Sequence, residues 1–263
     1  MEKKIRVAVL TQEDSFVIPE NIKILGSQEF IELVAVVKIN SAGTVENKKT
    51  LLIKGFGLIQ AGKMGLVSVF NQILNITDAL FLFKLGFLKS LKSVAVACNS
   101  KYKVVIDPND KTNIDWLADL NIDLVVSYSA PCIFKKDLLK LPKLGCINLH
   151  CSLLPSYAGL LPSFWVLYEK ANIFGATVHQ MDDKIDNGAI LGQVEIPKPS
   201  KLSMFNVIKA TKQAGGHLMV SVISEILNDN SKVQPNHLES KDYYYWPTIE
   251  QIKEFRRNGG RLI

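Results

Sequence analysis

Short apolar runs alternate with helix-like patterns along most of the chain, and this alternation constrains the fold more than any other feature. An apolar run at 5–10, a helical pattern at 19–26 and a second apolar run at 33–38 form a strand, helix, strand unit. Further strands are predicted at 94–97, 103–106, 123–127, 146–150, 175–181 and 189–196, and further helices at 114–120, 135–141, 163–171, 203–228 and 248–257. The alternation predicts an α/β fold with an open, mostly parallel, Rossmann-like sheet, helices on both faces and a site beyond the carboxyl ends of the strands.

Composition narrows the class of partner. The 263 residues are 48% hydrophobic and 21% charged, which is typical of an ordinary globular chain and excludes a disordered or collagen-like one. The 31 Lys and Arg residues against 25 Asp and Glu residues leave a net charge of +6. This excess gives a mild preference for anionic partners, but it is too small and too scattered to indicate nucleic acid.

The cysteines and the apolar segments indicate a cytoplasmic protein without a membrane span. Cys98, Cys132, Cys146 and Cys151 form no CxxC pair and have no histidine at zinc-binding spacing, so we expect reduced thiols and no metal. The start of the chain enters a strand pattern without the apolar core of a signal peptide. The most apolar stretch, 51–91, is interrupted by charged and amide side chains and is predicted to form packed helices.

The turn after the first strand is unsuited to phosphate. It contains no glycine, and it places Glu13 and Asp14 where a phosphate would be repelled. The one GxG sequence, at 55–57, lacks the third glycine of a dinucleotide fingerprint. A nucleotide-dependent dehydrogenase is therefore disfavoured.

Two polar side chains end the strand predicted at 146–150. Residues two apart on a strand point to the same face, so Asn148 and His150 are expected side by side. An amide and an imidazole together can stabilise an oxyanion and manage a proton, as acyl transfer requires. Capping of the next loop is the alternative role for this pair. Asp186, between the strands at 175–181 and 189–196, can orient the histidine, take a proton or simply form a turn.

Three motifs occur in order along the second half of the chain: GCINLHCSLLPSYAG at 145–159, GATVH at 175–179 and DDKIDNG at 182–188. Together they closely resemble the signature of the formyltransferases that depend on 10-formyltetrahydrofolate. The resemblance implies that Asn148, His150 and Asp186 are the catalytic residues and that 10-formyltetrahydrofolate is the cosubstrate, with no metal. We accordingly expect a formyltransferase catalytic domain at 1–228 and a short C-terminal extension at 229–263 packed on it.

The same resemblance assigns contacts to the folate. The turn after the strand at 123–127 would read the pterin ring, mainly with its backbone, and the loop before Asp186 would close the other side; packing is the alternative role for the turn. The implied contacts are Tyr128, Ser129, Ala130, Cys132, Ile133, Asp182, Asp183 and Ile185. Cys151 follows His150 directly, so their side chains diverge and a Cys–His nucleophilic pair is not expected. His179 is expected either near the site or as a core histidine.

The acceptor amine is less constrained. A small acceptor, such as a nucleotide-linked amino sugar, is favoured because 160–165 and 243–263 resemble that branch of the family. A glycinamide ribonucleotide acceptor is disfavoured by Glu13 and Asp14, and initiator tRNA by the short stretch after the helix at 203–228. The aromatic cluster at 243–246 either stacks on the acceptor or packs on the main domain.

Three alternatives to this function are a 10-formyltetrahydrofolate hydrolase, a methionyl-tRNA formyltransferase-like chain without its tRNA-binding domain, and a binding module without turnover. An intact set of Asn148, His150 and Asp186 disfavours the last. We expect neither nucleic acid nor membrane among the partners and allow for a homodimer. The stretch 40–95 is interpreted either as an acceptor pocket or as a subunit contact.

Overall fold

A seven-stranded sheet forms the centre of the computed structural model, which describes residues 4–40, 45–199 and 201–263. The strands, including two of a small second sheet, are β1 (Ile5–Thr11), β2 (Ile31–Ile39), β3 (Lys101–Val105), β4 (Leu124–Tyr128), β5 (Cys146–His150), β6 (Ala158–Gly159), β7 (Phe174–Gln180), β8 (Ile190–Ile196) and β9 (Tyr243–Tyr244). The helices are α1 (Ile18–Gly26), α2 (Val45–Phe56), α3 (Leu58–Leu80), α4 (Leu91–Ala97), α5 (Lys111–Ala118), α6 (Lys136–Lys140), α7 (Pro162–Tyr168), α8 (Met204–Leu227) and α9 (Ile249–Arg257).

The order of strands in the main sheet is β3-β2-β1-β4-β5-β7-β8. The first five are parallel, β7 is antiparallel to β5, and β8 is antiparallel to β7. The carboxyl ends of β1, β4 and β5 therefore meet at one edge of the sheet, where a ligand site is expected in this class of fold. The prediction of an open, mostly parallel α/β sheet is confirmed.

The segment 94–97, predicted as a strand, is the end of helix α4. Ser90 caps this helix: its hydroxyl accepts from Ser93 N at 3.1 Å, and the Ser93 hydroxyl accepts from Ser90 N at 3.2 Å. Leu91, Val94 and Ala95 then face the core at helical spacing. The strand prediction was wrong because a run of four apolar residues fits both periods.

Helices cover both faces of the sheet, as predicted. Val7 and Val9 point to one face, where they pack with residues of α1, α4 and α8. Ala8 and Leu10 point to the other, where α5 and α6 cover them. This alternation along β1 is the two-residue period of a strand buried on both sides.

A glycine pair brings α8 close to the strand that ends in Asn148 and His150. A Cβ at Gly215 would lie 2.4 Å from Leu149 Cδ1, and one at Gly216 would lie 2.4 Å from Asn21 Oδ1. The helix could not approach β5 and α1 so closely with any side chain at these positions. Gly215 and Gly216 therefore permit close packing at the base of the candidate site.

The segment after Leu227 packs on the rest of the molecule. Ile252 and Phe255 of α9, together with Leu262, form a buried cluster with Phe56 of α2 and Phe164 of α7. Strand β9 pairs in parallel with β6. The boundary between domains at 228/229 stays a prediction.

The stretch 51–91 is helical as far as Leu80, as predicted, and continues as a turn and irregular segment at 81–90. The buried side chains of α3 are Asn71 and Asp78, whereas Leu66, Ile73 and most other apolar residues are exposed. In the described part of the chain, no helix is long and apolar enough to cross a membrane. Residues 41–44, within the stretch left open above, lie outside the described residues.

Candidate active site

The carboxyl end of β5 holds two of the predicted catalytic side chains. Asn148 and His150 are two residues apart on this strand and therefore share a face of the sheet. Because β5 pairs in antiparallel with β7, Asn148 lies opposite His179 and His150 lies opposite Thr177. Both histidines are buried, while Asn148 is half-buried. The register of the two strands thus adds a second histidine to the predicted pair.

The loop between β7 and β8 carries Asp186 to the same place. The backbone at Asp186 has a φ of 51°, a left-handed conformation that aspartate tolerates better than most residues. At Gly188, a Cβ would lie 2.0 Å from the carbonyl oxygen of Gln180, so the loop requires glycine there. Asp186 Oδ2 accepts a hydrogen bond from Gly159 N at 2.8 Å, which fixes the carboxylate.

Asp186 stands between the two histidines. Its Oδ2 atom lies 3.3 Å from His150 Nδ1, and its Oδ1 atom lies 3.4 Å from His179 Nε2. Asn148 Nδ2 lies 3.1 Å from the same Nε2 atom. The three residues singled out from the sequence therefore lie in one cluster, in which His179 joins Asn148 to Asp186. Their catalytic roles stay predictions.

A backbone carbonyl fixes the position of one hydrogen on His179. Its Nδ1 atom lies 2.7 Å from the carbonyl oxygen of Gln180, which can only accept, so Nδ1 carries a hydrogen. Nε2 lies between two groups: in the neutral ring it accepts from the amide of Asn148, and in the charged ring it donates to Asp186 Oδ1. With the neutral ring, one of the two Nδ2 hydrogens of Asn148 is used in this way, and the second remains to be donated to a ligand.

His150 has acceptors on both sides. Its Nε2 atom lies 2.9 Å from the carbonyl oxygen of Tyr157, while Nδ1 faces the carboxylate of Asp186. Both contacts are hydrogen bonds only when both ring nitrogens carry hydrogens. Both ring nitrogens of His150 thus face acceptors, which fixes the orientation of the ring and places an exchangeable proton in the site.

The carboxylate of Asp186 is held in its ionised form. Burial alone would raise its pKa, but the charge of His150 and the hydrogen bonds from His179 and Gly159 outweigh burial and lower the pKa from 3.8 to about 2. Asp186 is therefore negative throughout the neutral range. It can hold the charge of His150 but is a weak base.

Two residues of the C-terminal segment support the Asp186 loop. Asn236 Nδ2 donates to the carbonyl oxygen of Asp186 at 2.8 Å, and the hydroxyl of Tyr243 donates to that of Ile185. Tyr244 stacks on Tyr157, whose carbonyl oxygen faces His150. Nothing in the sequence singled out Asn236, because it lies in an irregular segment without a motif. The aromatic cluster at 243–246 thus packs here through two of its members.

The turn predicted to read the pterin ring begins in the core. The ring of Tyr128 is fully buried among residues of the sheet, and the carbonyl oxygen of Tyr128 accepts from the Thr11 hydroxyl. Ser129 has a φ of 58° and turns the chain outward. After it, Ala130 and Cys132 are half-buried and Ile133 is exposed. The side chain of Tyr128 is therefore a core residue, and folate binding by this turn stays a prediction.

The second group of predicted folate contacts lies on the Asp186 loop. Asp182 organises that loop: it accepts from Lys184 N at 2.9 Å and from Asn187 Nδ2 at 2.6 Å. Asp183 and Ile185 are exposed. Asp182 is thus committed to the shape of the loop, and the apolar side chain of Ile185 is open to a ligand.

The neighbouring thiol is not a candidate nucleophile. Burial raises the pKa of Cys151, and this effect outweighs the positive charge of Lys212. A thiolate, the reactive form, is therefore disfavoured. Among the described residues, no group of three or more His, Cys, Asp and Glu side chains is arranged to hold a metal ion.

At the carboxyl end of β1, Asp14 binds backbone N–H groups and a lysine. Asp14 Oδ1 accepts from Phe16 N and Val17 N at 2.8 and 2.9 Å, which caps the approach to α1. Its Oδ2 atom lies 2.7 Å from Lys212 Nζ of α8. The backbone donors that a phosphate would use at this turn are therefore occupied by the protein's own carboxylate.

Comparisons with known proteins agree with this geometry. The model of the family described as "Formyl transferase" matches residues 88–223, more than half of the chain. The chain belongs to the formyl transferase family. The matched range contains β5, β7, the Asp186 loop and all four residues of the cluster. The resemblance predicted from the sequence is confirmed.

Individual relatives in the formyl transferase family share part of their length with the chain. It is 35% identical over 147 residues to the bifunctional polymyxin resistance protein ArnA of Wigglesworthia glossinidia brevipalpis, covering 54% of this chain and 22% of that protein. It is 29% identical over 169 residues to methionyl-tRNA formyltransferase of Clostridium perfringens, covering 64% and 54%. The chain thus spans about a fifth and about half of these relatives.

A solved structure supports the fold. The N-formyltransferase from Helicobacter canadensis in complex with folinic acid and dTDP-3-aminofucose has a TM-score of 0.57 and 18% identity, covering 91% of this chain and 70% of that one. At this identity the likeness shows the fold alone. The predicted fold of the formyltransferase type is confirmed.

Proposed function

We propose that the protein transfers a formyl group from 10-formyltetrahydrofolate to the amine of a small acceptor, with Asn148, His150 and Asp186 as its catalytic residues. The observation that carries this proposal is the carboxylate of Asp186 placed 3.3 Å from His150 Nδ1 and 3.4 Å from His179 Nε2. A buried carboxylate beside imidazole rings is expected where a protein must hold and transfer a proton.

The reaction requires one bond to form and one to break. The uncharged amine attacks the formyl carbon, and the resulting oxyanion is stabilised by the free Nδ2 hydrogen of Asn148 and the positive charge of His150. The bond from the formyl carbon to N10 of the folate then breaks as His150 gives its proton to N10. His150 regains a proton from the attacking amine, so that protons balance over the cycle. Asp186 keeps the imidazolium in place.

The exposed parts of two segments fit the cosubstrate. Ile133, after the turn at 128–132, and Ile185, on the Asp186 loop, are 49% and 40% exposed. Apolar side chains open to solvent are suited to cover an aromatic ring system such as a pterin. We assign folate binding to these two segments, with the backbone of 129–132 supplying the polar contacts.

A nucleotide-linked amino sugar is the acceptor class that we favour. The Helicobacter canadensis structure is a complex with dTDP-3-aminofucose, which is a nucleotide-linked amino sugar. At the turn after β1, Asp14 occupies the N–H groups of Phe16 and Val17 and places a negative charge where a phosphate would bind. This feature disfavours an acceptor whose phosphate binds at that turn.

The test measures release of tetrahydrofolate from 10-formyltetrahydrofolate. Separate reactions contain nucleotide-linked amino sugars, simple amino sugars, amino acids, initiator methionyl-tRNA or water alone. We expect release with one class of amino sugar, and a loss of about 10²–10³-fold in turnover for Asn148→Ala and for His150→Ala. His217→Ala, which removes an exposed histidine of α8, is the matched control and should keep normal turnover.

Each alternative has its own outcome. Release with water alone would establish a hydrolase, and release only with methionyl-tRNA would establish that acceptor. Equal turnover in His150→Ala and wild type would overturn the assigned chemistry. Absence of folate binding in a folded wild-type protein would leave a binding module without this reaction.

A further inference from the structure

Helix α3 presents a broad apolar face to solvent. Leu66, Ile73 and Leu80 are 73%, 55% and 77% exposed. The exposed apolar surface, hereafter the α3 face, consists of Leu58, Ile59, Leu66, Val69, Phe70, Ile73, Ile76, Leu80, Phe81, Leu82, Leu85 and Phe87. A contiguous apolar patch larger than a few hundred Å² is unusual on a monomer and marks an interaction site.

The orientation of α3 is the reverse of an ordinary surface helix. Its buried side chains are polar: Asn71 Nδ2 donates to the carbonyl oxygen of Ser15 at 3.1 Å, and Asp78 is fully buried. A helix against a water-exposed surface normally buries its apolar stripe and exposes its polar one. Because the polar side is fastened to the body of the protein, the apolar side is the one offered to a partner.

The turn that follows α3 is held in shape by Asp78. Its Oδ1 atom accepts from Leu85 N and Gly86 N at 3.0 and 3.2 Å, and its Oδ2 atom accepts from Phe87 N at 3.2 Å. Leu82, with a φ of 55°, is 71% exposed within this turn. The carboxylate therefore fixes the backbone of the turn, which carries apolar side chains beyond the end of the helix. The α3 face thus has an ordered backbone and extends past α3.

The exposed charges of the segment that carries the α3 face are positive. Between residues 50 and 92 the chain has five lysines and a single acidic residue, Asp78, which is buried. Lys89 lies 4.0 Å from Glu20, and the exposed lysines are Lys54, Lys63, Lys84 and Lys92. Lysines beside an apolar helical face can extend their stems along it and place their ammonium groups at the level of lipid headgroups.

We propose, against the expectation from the sequence that no membrane is among the partners, that the α3 face docks the protein on the surface of an anionic lipid bilayer. The apolar side chains would enter the boundary between headgroups and acyl chains, while the lysines contact acidic headgroups. A second copy of the chain is a poorer occupant, since it would bring a matching set of lysines against the first. The face is also wider than a coiled-coil seam, because Leu58, Phe70 and the turn at 81–87 lie beside the heptad positions of α3.

The experiment is flotation of the full chain with lipid vesicles. One set contains phosphatidylcholine alone and the other contains about 30% phosphatidylglycerol, at low salt. We expect binding to the anionic vesicles to exceed binding to the neutral ones by tenfold or more. Leu66→Glu/Ile73→Glu should abolish binding to both, whereas Ile173→Glu/Val233→Glu should bind normally, because those residues are each 55% exposed outside the α3 face.

Charge is tested separately. Lys63→Gln/Lys84→Gln should lose about fivefold in binding to anionic vesicles for each lysine removed and nothing on neutral vesicles. Lys209→Gln/Lys232→Gln, which removes two exposed lysines elsewhere, is the control. Equal binding of wild type to both vesicles would overturn the choice of an anionic surface. Absence of flotation would overturn lipid docking; dimerisation that is lost in Leu66→Glu/Ile73→Glu would then assign the α3 face to a subunit contact.

Discussion

Two largely buried aspartates lie at the carboxyl edge of the sheet, with side chains 14% exposed at Asp14 and 8% exposed at Asp186, and their partners differ in kind. Asp14, after β1, is paired with Lys212 and with backbone N–H groups at the start of α1. Asp186, beside the end of β5, is paired with two histidines. At both aspartates, burial alone would raise the pKa of the carboxyl group, but the opposite charge and the hydrogen bonds outweigh burial and lower the pKa.

The difference lies in what the partners can exchange. An ammonium and a row of backbone amides hold their protons at neutral pH, so the pair at Asp14 can only stabilise. A histidine gains and loses its proton near neutrality, so the cluster at Asp186 can take part in proton transfer. Of these two carboxylates at one edge, we therefore expect Asp14 to stabilise the fold and Asp186 to take part in the reaction.

The largest expected effect is on turnover in Asp186→Asn. The amide keeps the size of the side chain but removes the charge that holds the imidazolium of His150. We expect a loss of about 10²–10⁴-fold in tetrahydrofolate release at saturating substrates. Asp14→Asn, the same substitution at the other aspartate, should stay within about tenfold of wild type. Equal losses in both variants would remove the distinction drawn between them.

The next effect is on stability in Asp14→Asn. The side chain of Lys212 is 11% exposed, so removal of its partner leaves a nearly buried charge uncompensated. We expect the free energy of unfolding to fall by about 3 kcal/mol, measured with urea at neutral pH. Asp14→Asn/Lys212→Met removes both charges and should recover most of the loss. A loss below about 1 kcal/mol in the single variant would show that the pair contributes little.

How far the sequence predicts the site depends on the range of each interaction. Asn148 and His150 share a strand, so the two-residue period alone places them side by side. His179 lies opposite Asn148 only because β5 and β7 pair in a particular antiparallel register. Asn236 reaches the Asp186 loop through one hydrogen bond from an irregular segment. The sequence predicts the local pair, whereas the contacts that complete the site depend on register and on the path of the C-terminal segment.

For the fold, too, the sequence predicted the local pattern but not the contacts between distant segments. Alternating strands and helices predicted the mostly parallel sheet, because that pattern follows from local periodicity. The reversed orientation of α3 was missed, since apolar residues in a helix are normally interpreted as core. The orientation of α3 is fixed by hydrogen bonds of its polar side chains: Asn71 bonds to Ser15, and Asp78 bonds to the turn that follows the helix. A pattern of hydrophobicity does not report which polar groups find partners.

The smallest effect is on stability in acid, and it refines the comparison. The pKa of Asp186 is lowered from 3.8 to about 2 in the folded protein, so above about pH 4 its full contribution to stability is present. As the pH falls below 3.8, the carboxyl group becomes protonated in the unfolded chain but stays ionised in the folded protein, so the stabilisation decreases. Most of it is lost by about pH 2, where the folded carboxylate is protonated as well. Asp186→Asn should therefore lose about 2 kcal/mol less than wild type between pH 4 and pH 2, in urea unfolding at each pH. Parallel curves for the two proteins would mean that His150 and His179 do not stabilise the charge of Asp186, and the site would then resemble a solvated carboxylate more than the ion pair at Asp14.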